Sequence, residues 1–75
     1  MAASKNIDCR GLSCPEPILH TKIAIKDLSP GGILEVLATD PGAVDDITSW
    51  SQSTGNLLIE QDVKDGVYRF LIKKS

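Results

Sequence analysis

An α/β two-layer sandwich, with a four-stranded mixed sheet and two helices on one face, is the fold class this sequence predicts. Three observations carry that expectation. Strand-like alternation and helical spacing follow one another in the order βαβαββ. The helical segments end on breakers, "SPGG" at residues 29–32 and Gly55-Asn56. Near the end, Lys64-Asp65-Gly66 carries Asp-Gly, a strong hairpin signal, so the last two strands must run antiparallel.

Each element has its own justification. Residues 6–12, "NIDCRGL", alternate, with Ile7 and Cys9 on one side and Asp8 and Arg10 on the other, which predicts a half-buried first strand. Residues 15–28 place Ile18, Thr21, Ala24, Ile25 and Leu28 at helical spacing. Pro30 and the glycines after it stop that helix. Residues 33–39, "ILEVLAT", read as a central strand. Asp40 is expected to cap a second helix whose first residue is Pro41, with a stripe of Val44, Ile47, Trp50 or Ser51, and Thr54. Residues 57–63 and 67–73 are the hairpin strands. Short crossovers of uniform hand place both helices on the same face.

A chain of 75 residues is near the size at which one core just suffices, so a single domain over residues 1–75 is expected, with no room for a repeat or linker. Its hydrophobic fraction of 41% and charged fraction of 24% are ordinary for a soluble globular protein. A net charge of −2 and a pI near 5.1 give no general attraction to phosphate backbones, so no nucleic-acid contact is expected. "MAASKN" lacks the apolar run of a signal peptide, and no stretch approaches the roughly 20 apolar residues that span a bilayer. The expectation is a cytoplasmic protein without membrane contact, in which thiols stay reduced. One His and two Cys fall short of a four-ligand zinc site, so no metal is expected.

The chemistry-bearing stretch is "GLSCPEPILHTK", residues 11–22. Proline is tolerated in the first helical turn, where backbone N–H groups lack intrahelical partners. With Cys14 as cap, Pro15 and Pro17 fall in that turn; the helix can also begin at Pro17, because Pro17 disfavours helical geometry at Glu16. Either start puts the Cys14 sulfur at the positive end of a helix, where a thiol ionises more readily. Arg10 is expected to add positive field and Glu16 to oppose it, and the Glu16 N–H is the early donor left free for the sulfur. The prolines thus predict a rigid, exposed and acidified thiol.

The stretch "DCRGLSCPEPILHTKIAIKDL" resembles the TusA/SirA/YedF family of small sulfur-transfer proteins, and the similarity extends through "DPGAVDDI" to cover essentially the whole chain. Gly11, Leu12, Cys14, Pro15, Glu16 and Pro17 match the family's Gly-Leu-x-Cys-Pro-x-Pro start without a gap, and Asp40-Pro41 and Asp46-Ile47 match its second helix start. The resemblance implies a βαβαββ sandwich in which Cys14 accepts sulfane sulfur as a persulfide and relays it. It implies a protein donor, a cysteine desulfurase or a rhodanese-like protein, and a downstream acceptor protein, in tRNA thiolation, molybdenum-cofactor maturation or sulfur metabolism. It implies a sulfurtransferase that needs no cofactor, and we expect a monomer when free. Some relatives carry a second cysteine near the aromatic residue of the second helix, where this chain has Ser51 after Trp50.

Other residues have plainer expectations. Cys9, in phase with Ile7, is expected to pack as a small hydrophobe rather than resolve a disulfide. His20 lies too far along the helix to serve Cys14, Lys22 and Lys26 form a solvated stripe, and Trp50 packs in the core. Leu19 and Ile23 fall off the sheet-facing stripe: either the neighbouring helix covers them or they help a sulfur donor or acceptor dock. Two other classes compete with the carrier: a thiol–disulfide switch using Cys9 and Cys14, and a non-enzymatic regulatory or RNA-binding module.

Overall fold

Strand β1 (Lys5–Cys9), helix α1 (Glu16–Ile25), strand β2 (Ile33–Ala38), helix α2 (Gly42–Thr54) and strands β3 (Leu57–Lys64) and β4 (Val67–Lys73) follow in the expected βαβαββ order. The computed structural model describes residues 3–75. Met1 and Ala2, which open both the expected 1–75 domain and the segment read as free of a leader, lie outside them.

The four strands form one mixed sheet in the order β1-β2-β4-β3. β1 runs parallel to β2, with Ile7 opposite Val36 and Cys9 opposite Ala38. β4 lies between β2 and β3 and is antiparallel to both. Alternation along each strand sends Ile7 and Cys9, Leu34, Val36 and Ala38, and Phe70 and Ile72 to the helix-covered face. There they meet Ile18, Ala24 and Ile25 of α1 and Ala43 and Ile47 of α2. Leu34, Val36, Ile47, Phe70 and Ile72 are wholly inaccessible, and full burial of such a side chain is worth about 1.5–3 kcal/mol. On the opposite face Arg69 holds Glu35 at 2.7 Å and Glu60 at 2.8 Å, tying β2, β4 and β3 together.

The boundaries differ from the sequence expectation where turns intervene. β1 stops at Cys9 instead of reaching residue 12, because Gly11 adopts φ +81° and the Leu12 N–H turns back to Cys9 O at 3.2 Å. α1 ends at Ile25; Lys26, Asp27 and Leu28 close i→i+3 bonds onto Ile23, Ala24 and Ile25, a tightened final turn rather than more α-helix. α2 begins at Gly42, with Pro41 at its N-cap, and Asp40 makes no side-chain cap. The Asp40 carboxylate is engaged elsewhere, as described below. The stop at Gly55 (φ +78°) is as expected, its N–H bonding Ser51 O at 3.0 Å. In the hairpin, Asp65 and Gly66 both have positive φ, the conformation a tight two-residue connection needs.

Candidate active site

Two loops meet at one edge of the sandwich, and both leave the ends of parallel strands. The first runs from Cys9 to the start of α1, and the second joins β2 to α2. Gly11 N–H donates to Thr39 Oγ1 at 2.9 Å, which pins the first loop onto the second. Leu12 anchors the first loop by packing half-buried against the core. Glu16 N–H closes a turn onto Ser13 O at 2.8 Å, and Leu19 N–H bonds Pro15 O at 3.1 Å, so Cys14 and Pro15 stand at the corner where the chain enters α1. The peptide between them is cis.

Cys14 is exposed and is held at two atoms by the second loop and helix. Its backbone N–H donates to Asp40 Oδ2 at 2.9 Å, and its thiol Sγ donates to Asp46 Oδ2 at 3.1 Å. Gly42 leaves room for this arrangement. A Cβ there would stand 3.1 Å from Asp40 Oδ2 and 3.7 Å from Cys14 Cβ, so a side chain would press on the carboxylate that anchors Cys14.

These partners overturn the expectation of an acidified thiol. Cys14 precedes the N-cap residue Pro15 instead of capping α1 itself. The Glu16 N–H, expected to serve the sulfur, is taken by Ser13 O. Arg10, expected to add positive field, turns back to Asp8, with Nε at 2.9 Å and Nη2 at 2.8 Å from its two oxygens, and it holds Asp8 down to about 2. What acts on the thiol is negative charge. The hydrogen bond to Asp46 pushes the Cys14 thiol above its ordinary value, reinforced by partial desolvation and by the charges of Asp46 and Asp40. The resting sulfur is therefore a thiol whose proton points at a carboxylate.

The remaining candidate residues have distinct surroundings. Pro17 is buried, and its carbonyl accepts the hydroxyl of the inaccessible Thr21 at 2.8 Å, while Pro15 and Glu16 are exposed. Cys9 is 1% exposed in the core, and burial raises its thiol pKa. Leu19 and Ile23 are 48% and 65% exposed, so α2 does not cover them. His20, Lys22 and Lys26 are exposed, and Trp50 packs half-buried against the core. The sequence gives Asp40 a capping role and matches Asp40-Pro41 and Asp46-Ile47 to the family's second helix start, but it assigns neither carboxylate to Cys14. A signal for Asp46 existed: it falls three residues after Ala43 and four before Trp50, at the border of the buried stripe, where an acid is seldom placed without a partner.

A two-layer βαβαββ fold that presents a carboxylate-gripped thiol at the entry to its first helix defines a small thiol-bearing α/β protein. The family model described as Sulfurtransferase TusA matches residues 5–74, and the chain belongs to that family. YrkI of Bacillus subtilis (strain 168) is 47% identical over 74 residues, 99% of each chain. The sulfur carrier protein TusA of Allochromatium vinosum is 45% identical over 71 residues, 95% of this chain and 93% of its own. The crystal structure of a SirA-like protein from Desulfitobacterium hafniense superposes with a TM-score of 0.82 at 28% identity, covering 92% of this chain and 95% of that one.

Proposed function

We propose that this protein is a sulfur carrier that accepts sulfane sulfur as a persulfide on Cys14 and relays it to a partner protein, acting as a sulfurtransferase. The observation that carries the reading is the exposed Cys14 Sγ, fixed at the corner before α1 by Asp40 and Asp46. Family membership and a relative named as a sulfur carrier support it.

The sulfur arrives from a donor protein, a cysteine desulfurase or a rhodanese-like protein, and leaves to an acceptor in tRNA thiolation, molybdenum-cofactor maturation or sulfur metabolism. Gly11 and Leu12 position the first loop, and Pro15, Glu16 and Pro17 fix the entry to α1. Leu19 and Ile23, exposed on α1, offer donor or acceptor an apolar docking surface. We place the reaction in the cytoplasm and expect the free chain to be a monomer that needs no cofactor.

Loading is an exchange between sulfurs. Cys14 attacks the outer sulfur of the donor persulfide, and the donor's inner sulfur departs. On discharge the acceptor attacks the same outer sulfur and Cys14 departs, so the geometry must serve Cys14 both as nucleophile and as leaving group.

Intact-mass spectrometry after exposure to a persulfide donor tests the proposal. A carrier gains about 32 Da, one sulfur, removable by a reducing thiol. A thiol–disulfide switch would instead lose about 2 Da on oxidation, and a binding module would do neither. A chain that never gains sulfur under donor excess contradicts the carrier reading.

A further inference from the structure

Resting on the reading that Cys14 carries the sulfur, we infer that Asp46 is a catalytic residue: its carboxylate removes the Sγ proton as Cys14 attacks and restores it when Cys14 leaves. The geometry meets the first requirement of a general base, direct hydrogen-bond reach of the proton it abstracts, since Sγ and Asp46 Oδ2 are 3.1 Å apart. The other carboxylate that acts on the thiol, Asp40, is engaged with the Cys14 N–H at 2.9 Å. Arg10 faces Asp8. Among the described residues, Asp46 is the side chain that holds the thiol proton.

The need for such a group follows from the resting state. The thiolate, not the thiol, attacks sulfur, and this site keeps its sulfur protonated. That proton passes to Asp46 as Cys14 attacks. In the loading step a bond forms between Sγ and the outer sulfur of a donor R–S–S–H, while the bond between the two donor sulfurs breaks. The Sγ proton moves to Asp46, and the departing R–S⁻ collects it as R–SH. The sum is Cys14–SH + R–S–S–H → Cys14–S–S–H + R–SH, with no net oxidation or reduction. On discharge the acceptor takes the outer sulfur, and Asp46 carries the acceptor's proton to the departing Cys14 Sγ.

The test exploits two effects of opposite sign. Iodoacetamide reacts with thiolate already formed and its iodide leaves without a proton, so Asp46→Asn, which removes a negative charge beside the thiol, makes alkylation of Cys14 at pH 7 faster. The same substitution removes the proton acceptor, so single-turnover loading from glutathione persulfide, followed by intact mass, becomes slower by about a hundredfold. Asp46→Ala, which also lacks the carboxylate, is the second variant should the amide disturb α2, and the melting temperature of each reports its fold. Faster alkylation with slower loading supports the assignment. Loading as fast as, or faster than, the unsubstituted chain overturns it and leaves Asp46 an electrostatic brake. Failure of the unsubstituted chain to load overturns the carrier reading itself, and this inference with it.

Discussion

A carboxylate 3.1 Å from a thiol disfavours loss of the thiol proton, and that proximity sets the resting chemistry of Cys14. Its pKa is raised above the ordinary cysteine value, chiefly by the hydrogen bond to Asp46 and further because the thiolate would face the charges of Asp46 and Asp40. Thiolate is then scarce at neutral pH and accumulates only as pH rises through the raised value. The rate of Cys14 alkylation against pH should show a midpoint above that of a model cysteine, about 8.5; a midpoint below it would contradict this electrostatic account. Arg10→Ala should leave the profile unmoved, because the guanidinium is bound to Asp8 and not to the sulfur. The site was legible in part. Cys-Pro-x-Pro locates an exposed sulfur before a helix, since proline rules are local. The sign of the pKa shift was not legible, because it is set by side chains 26 and 32 positions away that reach Cys14 only once the loops meet.

Helices α1 and α2 converge at their N-termini, where the loop before α1 brings the thiol and α2 with its preceding loop brings the two carboxylates. The outward side of α1 is left with Leu19 and Ile23, flanked by Lys22 and Lys26. Leu19 is one turn beyond Cys14, and a few contact residues near the centre of an interface carry most of its energy. Leu19→Asp should slow protein-to-protein sulfur transfer while leaving small-molecule persulfidation of Cys14 and the melting temperature unchanged. A marked fall in melting temperature would instead place Leu19 in the core. Element type was legible because apolar spacing differs between strands and helices, and Gly55 and Asp65-Gly66 mark their ends by φ requirements that are local. Boundaries were less so. The first strand ends early because Gly11 turns the chain, and Pro41 serves as N-cap because Asp40 binds Cys14 instead of capping α2.

The whole molecule has one layer of helices to cover one face of the sheet, so each core side chain carries a large share of the stability. Ile47 is wholly inaccessible between α2 and the sheet. Ile47→Ala should cost about 2–5 kcal/mol, a large fraction of the roughly 5–15 kcal/mol that holds small domains folded. Urea denaturation would measure it, and a cost below about 1 kcal/mol would mean that Ile47 is not packed as described. The strand order β1-β2-β4-β3 was not legible, because the choice of β4 as the neighbour of β2 depends on pairing between distant segments such as Val36 and Phe70. That order leaves β1 and β2 side by side, so the loops from their ends can clasp Cys14. Site-resolved loading decides whether the Cys14 sulfur is the carrier. Cys9→Ala and Cys14→Ser chains are exposed to a persulfide donor and weighed intact. The Cys9→Ala chain should gain one sulfur, about 32 Da, and the Cys14→Ser chain none. Uptake by the Cys14→Ser chain, or its loss in a folded Cys9→Ala chain, would mean that Cys14 alone is not the carrier.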